Sequence, residues 1–192
     1  MDKKLYRALV VTAVALTVLW IGWSLYDAYL RESLPGEQAW HAANKYFEDG
    51  NYEQALREYE TALRSNPEFL PALRGRARSL MQLGRSTEAL ATFDEAIGRA
   101  PEFGPTYANR GILHDRLGHY EAAIADYDRA LALDSELAEG PHWLTRFLRL
   151  QPDKPPSIAD RAAYLRDQLA KPESERLLRV PEVDEQQRPY KK

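Results

Sequence analysis

Hydrophobic and polar positions divide the chain into two regimes. From Ala8 to Tyr26, 19 residues pass without a charge, bounded by Arg7 and Asp27. As a helix this run is about 28 Å long at ~1.5 Å per residue, which matches a bilayer core of about 30 Å. Beyond it, apolar residues recur three and four apart among charged ones, the stripe of helices that bury one face. The pattern predicts helices at about 37–49, 53–65, 71–83, 87–99, 105–117 and 121–133.

The first regime predicts a transmembrane helix over 8–29, with 1–7 as a cytoplasmic start and 30–36 as a short linker. Trp20, Trp23, Tyr26 and Tyr29 sit at its far end, where amphipathic rings settle among headgroups. Lys3, Lys4 and Arg7 precede the run and only Arg31 follows closely, so the remainder is expected on the translocated side. In a bacterium that is the periplasmic face of the inner membrane. A cleaved signal peptide is the rival reading. Against it, the run exceeds a usual apolar region and Tyr26, Asp27, Ala28, Tyr29, Leu30 offer no small-x-small cleavage site. A buried core helix is the other alternative, but 19 uncharged residues would overwhelm so small a core.

The second regime repeats itself with a period of 34. Tyr52-Glu53-Gln54-Ala55-Leu56 returns as Ser86-Thr87-Glu88-Ala89-Leu90 and as Tyr120-Glu121-Ala122-Ala123-Ile124. Gly50, Gly84 and Gly118 keep the same spacing, as do Tyr59, Phe93 and Tyr127, and Ala62, Ala96 and Ala130. Pro67 and Pro101 continue the set, with Ser135 in the third copy. Each offset has a physical reason. Glycine between two helices ends the first in a left-handed conformation without a Cβ penalty. Alanine permits close helix approach, and the aromatic plugs the space between adjacent pairs. Pro71 and Pro105 lie where a helix begins and no amide hydrogen is needed. This 34-residue unit resembles the tetratricopeptide repeat (TPR), and the likeness covers 36–137 as repeats 36–69, 70–103 and 104–137. It implies an all-α fold, a helix–turn–helix solenoid.

Past the third copy, residues 138–170 are expected to cap the stack. Pro141 to Leu150, with Trp143, Leu144, Phe147 and Leu148, suggests an incomplete fourth unit. Ser157 and Asp160 form a capping-box pattern opening a helix to about Ala170, from which Ala162, Tyr164, Leu165 and Leu169 pack back. The tail, 171–192, carries Pro172, Pro181 and Pro189 among charges; it is expected to be largely extended, with only Leu177, Leu178 and Val180 docking.

The TPR resemblance implies a concave surface lined by the first helix of each repeat. Carried over position by position, the family's contact offsets fall on Trp40, His41, Asn44 and Phe47, then Arg74, Arg78 and Met81, then Ala108, Asn109, Ile112 and Arg116. The partner-binding set is taken as Trp40, Asn44, Phe47, Arg74, Arg78, Asn109, Ile112 and Arg116; Trp40, Phe47 and Ile112 also suit an interior place. Amide and guanidinium donors suit the carbonyls and carboxylates of an extended peptide. The basic clamp by which some TPR co-chaperones grip a C-terminal carboxylate is matched only at Asn44 and, in part, Asn109; Trp40, Gly75 and Pro105 stand where its other members belong.

Composition narrows the remaining chemistry. No cysteine occurs, which excludes disulfides, thiolate metal sites and covalent haem attachment. A net charge of −3 argues against nucleic acid as a partner. His114 and His119 are five residues apart across a helix end, not a metal-ligand spacing, and no third ligand presents itself. No phosphate loop, nucleophile elbow or HExxH occurs, so no enzyme, cofactor or metal is expected. The chain reads as a membrane-anchored scaffold or assembly factor, resembling N-terminally anchored bacterial TPR proteins. Its partners are expected to be proteins that are membrane-embedded or freshly translocated, with the lipid bilayer contacted through 8–29. An accessory structural subunit of a membrane enzyme complex is the alternative. A mitochondrial outer-membrane receptor requires the opposite topology.

Overall fold

The computed structural model describes residues 3–29, 34–139, 156–179 and 189–190, the side chains of 27–29 excepted. Every regular element among them is helical. Helix α1 (Lys3–Tyr29) is followed by α2 (Glu37–Glu48), α3 (Tyr52–Ser65), α4 (Leu70–Gln82), α5 (Ser86–Arg99), α6 (Gly104–Arg116) and α7 (Tyr120–Leu133). A 3₁₀ turn (Ser135–Ala138), helix α8 (Ile158–Leu169) and a second 3₁₀ turn (Glu173–Glu175) complete the described order.

All described side chains of α1 from residue 3 to residue 26 are exposed. The helix is long and apolar enough to cross a membrane. Among the described residues nothing covers Leu16, Val18, Leu19, Trp20 or Trp23, each more than half exposed.

Helices α2 to α7 form three antiparallel hairpins stacked in order, with α2 on α3, α4 on α5 and α6 on α7, and α3 and α5 bridging to the next pair. The positions that recur in the sequence are those that pack hardest. Ala55, Ala89 and Ala123, Ala62, Ala96 and Ala130, and the aromatics Tyr59, Phe93 and Tyr127 are all at 0% exposure. Gly50, Gly84 and Gly118 take φ of 77°, 73° and 80° at the hairpin turns, the left-handed region in which a side chain is strained. Pro71 and Pro105 occupy the first turns of α4 and α6.

The aromatic plugs demand small neighbours. A Cβ added to Gly75 would lie 2.2 Å from the Tyr59 ring, and one on Gly111 would lie 2.8 Å from Tyr127. Gly75 therefore has a packing role that its absence from the repeat pattern conceals.

The far end is closed by α8, which packs on α7. The Ser157–Asp160 capping box forms in both directions: the Asp160 amide donates to Ser157 Oγ at 3.2 Å, and the Ser157 amide to Asp160 Oδ2 at 2.9 Å. Ala162 and Leu165 are buried, Tyr164 and Leu169 half-buried. The polar seal was not visible in the periodicity. Arg161, 3% exposed, donates from Nε and Nη2 to the Asp115 carboxylate of α6 at 2.7 and 2.8 Å, and also to the Leu178 carbonyl at 3.0 Å. Tyr127 Oη donates to the same carboxylate at 3.3 Å. The proposed fourth unit at 141–150 and Val180 lie outside the described residues.

Two expectations for the tail are corrected. Leu178 packs against the core, but the Leu177 side chain is 68% exposed; its backbone alone is held, by Gln168 and Tyr164. The side chain that docks instead is Tyr190, which packs against the central core. A lone aromatic between prolines and lysines carries no periodicity, so pattern reading passes over it.

Candidate functional site

The first helices of the three hairpins, α2, α4 and α6, line one face of the stack. They enclose a cavity of about 440 Å³ walled by Trp40, Asn44 and Glu48 from α2, Pro71, Arg74 and Arg78 from α4, and Thr106 and Asn109 from α6, with Phe93, Phe103 and Tyr190. One-helix-per-repeat lining follows from the hairpin geometry: the second helix of each pair lies behind the first and carries the buried plugs.

Five of the eight residues taken as a partner-binding set meet here: Trp40, Asn44, Arg74, Arg78 and Asn109. Three do not. Ile112, 1% exposed, belongs to the central core, and Phe47, 8% exposed, belongs to the core of the first hairpin. Both fall on the inward edge of the α-helical stripe, which spacing alone could not separate from the groove edge. Arg116 is drawn to the side, donating from Nη1 to Gln82 at 3.3 Å while its carbonyl accepts from Arg179. Of the other carried-over offsets, His41 is exposed, while Met81 and Ala108 are buried in the core.

Asn44 is committed to the scaffold: Tyr59 Oη donates to its Oδ1 at 2.7 Å. Burial, partly offset by nearby Arg78, raises the Tyr59 phenol above its ordinary pKa. Arg78 is 5% exposed and its guanidinium lies 5.1 Å from the Phe47 ring centre. Desolvation lowers its pKa, while Tyr59 acts in the opposite sense. Arg74 lies 3.6 Å over the Phe103 ring; its pKa is also lowered, by desolvation first and by Arg78 second. The Nε atoms of both arginines are buried without a hydrogen-bond partner among the described residues. Two guanidiniums thus face one cavity, each supported by an aromatic ring.

Asn109, 4% exposed, pairs with the backbone of a distant segment of the chain. Its Oδ1 accepts from the Tyr190 amide at 2.7 Å and its Nδ2 donates to the Tyr190 carbonyl at 2.9 Å. Arg78 Nη1 donates to that carbonyl at 3.3 Å. Tyr190 Oη reaches the Leu137 carbonyl at 3.4 Å, and burial raises the phenol pKa. The groove is therefore filled in part by a non-helical piece of the same chain, held through its backbone.

Sequence reasoning did not select Glu48, Phe93, Phe103, Thr106 or Tyr190 for this site. Phe93 is legible as a plug, and from α5 it also lines the cavity. Phe103 immediately precedes α6, and its ring lies beneath the Arg74 guanidinium. Elsewhere, His114 and His119 bring their Nδ1 atoms to 3.3 Å. Among the described residues no group of three or more candidate metal ligands occurs.

The hairpin stack has its counterparts. Family profiles described as tetratricopeptide repeat match residues 42–103 and residues 105–137. The chain contains tetratricopeptide repeats. Among solved structures, the first TPR of Spaghetti (RPAP3), bound to the HSP90 peptide SRMEEVD, is 20% identical. The match covers 73% of this chain and 100% of that one, with a TM-score of 0.58. The TPR2B domain of yeast Sti1, in a complex described as pHsp70, is 24% identical over 62% of this chain and 94% of that one, at a TM-score of 0.52. The Arabidopsis OM64 TPR domain is 22% identical over 53% and 84%, at 0.51. At these identities the likeness is one of fold. Among curated protein sequences, none matches.

Proposed function

We propose that this protein is a membrane-anchored TPR scaffold or assembly factor that acts without catalysis, at the periplasmic face of a bacterial inner membrane. Its groove receives an extended segment of a protein partner. The observation that carries this reading is the pair of hydrogen bonds between the Asn109 amide and the Tyr190 backbone, because a side-chain amide that reads both the N–H and the C=O of one residue suits any peptide. The first TPR of Spaghetti, bound to the HSP90 peptide SRMEEVD, supports the reading with a peptide on the same fold.

The anchor sets the setting. Seven residues, 30–36, join α1 to α2, and at about 3.3–3.6 Å per residue they reach at most ~25 Å. The groove is then confined near the bilayer, where a membrane-embedded or newly translocated partner meets it at raised effective concentration. The three cations before the span and the single one after it orient the solenoid outward.

A photocrosslinking amino acid at Trp40, used in native membranes, tests the groove. Capture of a discrete protein that Asn109→Ala and Arg78→Glu each reduce supports the reading; capture indifferent to both moves the contact to the tail or the span. A periplasm-dependent reporter fused after α8 tests the orientation, and its inactivity would reverse it.

A further inference from the structure

The described part of the tail engages only some of the donors that line the groove. Tyr190 satisfies Asn109 and one nitrogen of Arg78 through its backbone, and its ring joins the core. Arg74 is left stacked on Phe103 with no carboxylate within ion-pair distance among the described residues, and the buried Nε atoms of Arg74 and Arg78 are left without acceptors. A buried donor without an acceptor is costly, and a guanidinium finds its best acceptor in a carboxylate. Among the described residues on the cavity wall, Glu48 is the one acidic side chain, against two arginines. The segment that docks is itself cationic: Arg188 precedes the Pro189-Tyr190 pair and Lys191 and Lys192 follow it. The docked pair, Pro189-Tyr190, thus brings no carboxylate to the two arginines.

From this mismatch we infer that the Pro189-Tyr190 segment is an internal, replaceable ligand that occupies the groove until an extended peptide with carboxylates flanking an aromatic residue displaces it. The inference rests on the groove being a peptide site, as proposed above, and adds the competitor and the chemistry of the ligand. Backbone recognition by Asn109 is common to both ligands. The carboxylates supply what the Pro189-Tyr190 pair lacks, acidic acceptors for Arg74 and Arg78. A tethered ligand at millimolar effective concentration competes well even when its own affinity is weak, so the empty groove is rarely presented to unrelated chains.

The test uses the full chain in detergent micelles and two fluorescein-labelled decapeptides, followed by anisotropy. One carries the sequence of residues 183–192; the other carries the same sequence with Arg188→Asp, Lys191→Asp and Lys192→Asp. Wild type is expected to bind the acidic peptide about fivefold more tightly than the native-sequence one, the ratio that ~1 kcal/mol represents. Arg74→Gln should erase that preference. Tyr190→Ala should tighten both peptides by about fivefold or more, because the tethered competitor is gone. Hydrogen exchange of the Tyr190 amide in the wild-type chain gives a readout independent of any variant: protection is expected, and is expected to be lost at saturating acidic peptide.

Equal peptide affinities in wild type and Tyr190→Ala, with Tyr190 protection unchanged by peptide, overturn the internal ligand while leaving a peptide-binding groove. Equal affinity for the two peptides overturns the acidic preference. Failure of every form to bind either peptide, together with crosslinking indifferent to Asn109→Ala, overturns the groove reading itself. Should Tyr190→Ala lose helicity, the exchange measurement on wild type decides.

Discussion

Helices α1 and α8 stand at opposite ends of the described chain and solve the problem of a helix surface in opposite ways. Helix α1 has no polar stripe, and from residue 3 to residue 26 every side chain is exposed. Helix α8 has a capping box, buries Ile158, Ala162 and Leu165, and takes a guanidinium inside with them. A charge enters a protein interior when the interior supplies its counter-charge, as Asp115 does for Arg161. A helix apolar all round finds no such partner surface among the described residues and is of the kind that suits a bilayer. The two helices thus mark the difference between a surface the described fold covers and one it leaves bare.

The largest effect should come from moving charge into α1. Ala15→Asp with Val18→Asp costs about 2.5–3.5 kcal/mol per charge at the centre of a span, enough to shift the chain out of the membrane pellet on fractionation. The same pair of charges at exposed Thr87 and Ala91 of α5 should change unfolding free energy by no more than about 0.5 kcal/mol. Retention of the α1 variant in membranes would erase the contrast between the two helices.

Arg161→Ala breaks the other side of the comparison. It leaves Asp115 buried without its cation and should destabilise the solenoid by about 3–5 kcal/mol, read by denaturant unfolding, with membrane retention unchanged. Next in size is Gly75→Ala: its methyl meets the Tyr59 ring at van der Waals overlap, a cost of about 1–3 kcal/mol in the same assay. Gly22→Ala in α1, where a Cβ meets nothing within 4 Å, should leave unfolding of the solenoid unaffected.

The smallest effect concerns acid. Burial first, with Arg110 and His119 adding to it against the pull of Asp126, lowers the His114 pKa below the ordinary 6.5. The unfolded chain then takes up the proton more readily, so stability is full above the unfolded value and declines as pH falls through it toward the folded one. Wild type should accordingly lose more melting temperature between about pH 7.5 and about pH 5.5 than His114→Gln does. Equal losses would remove His114 from the acid response.

Much of this architecture is legible in the amino-acid sequence. The six hairpin helices fall within about a residue of their periodic expectation, because the amphipathic stripe and the turn glycine act through neighbours three to five residues away. Triplets such as Tyr59, Phe93 and Tyr127 declare themselves by repetition, since each unit solves the same packing problem. The groove was legible only in part. Arg74, Arg78 and Asn109 sit where the repeat places contact residues, but the helix stripe has no sharp edge, so Ile112 and Phe47 were drawn into the set and belong to the core.

Local chemistry and a period of 34 were sufficient to determine the hairpins, their turns, their buried plugs and the apolar first helix. Tertiary structure alone decided which arginines go unpaired, that Arg161 reaches Asp115 across 46 residues, and that Tyr190 returns to Asn109 across 81. The reason is physical: periodic burial is imposed by each segment on itself, whereas a single polar contact between distant segments leaves no rhythm in either and exists only once the chain has closed.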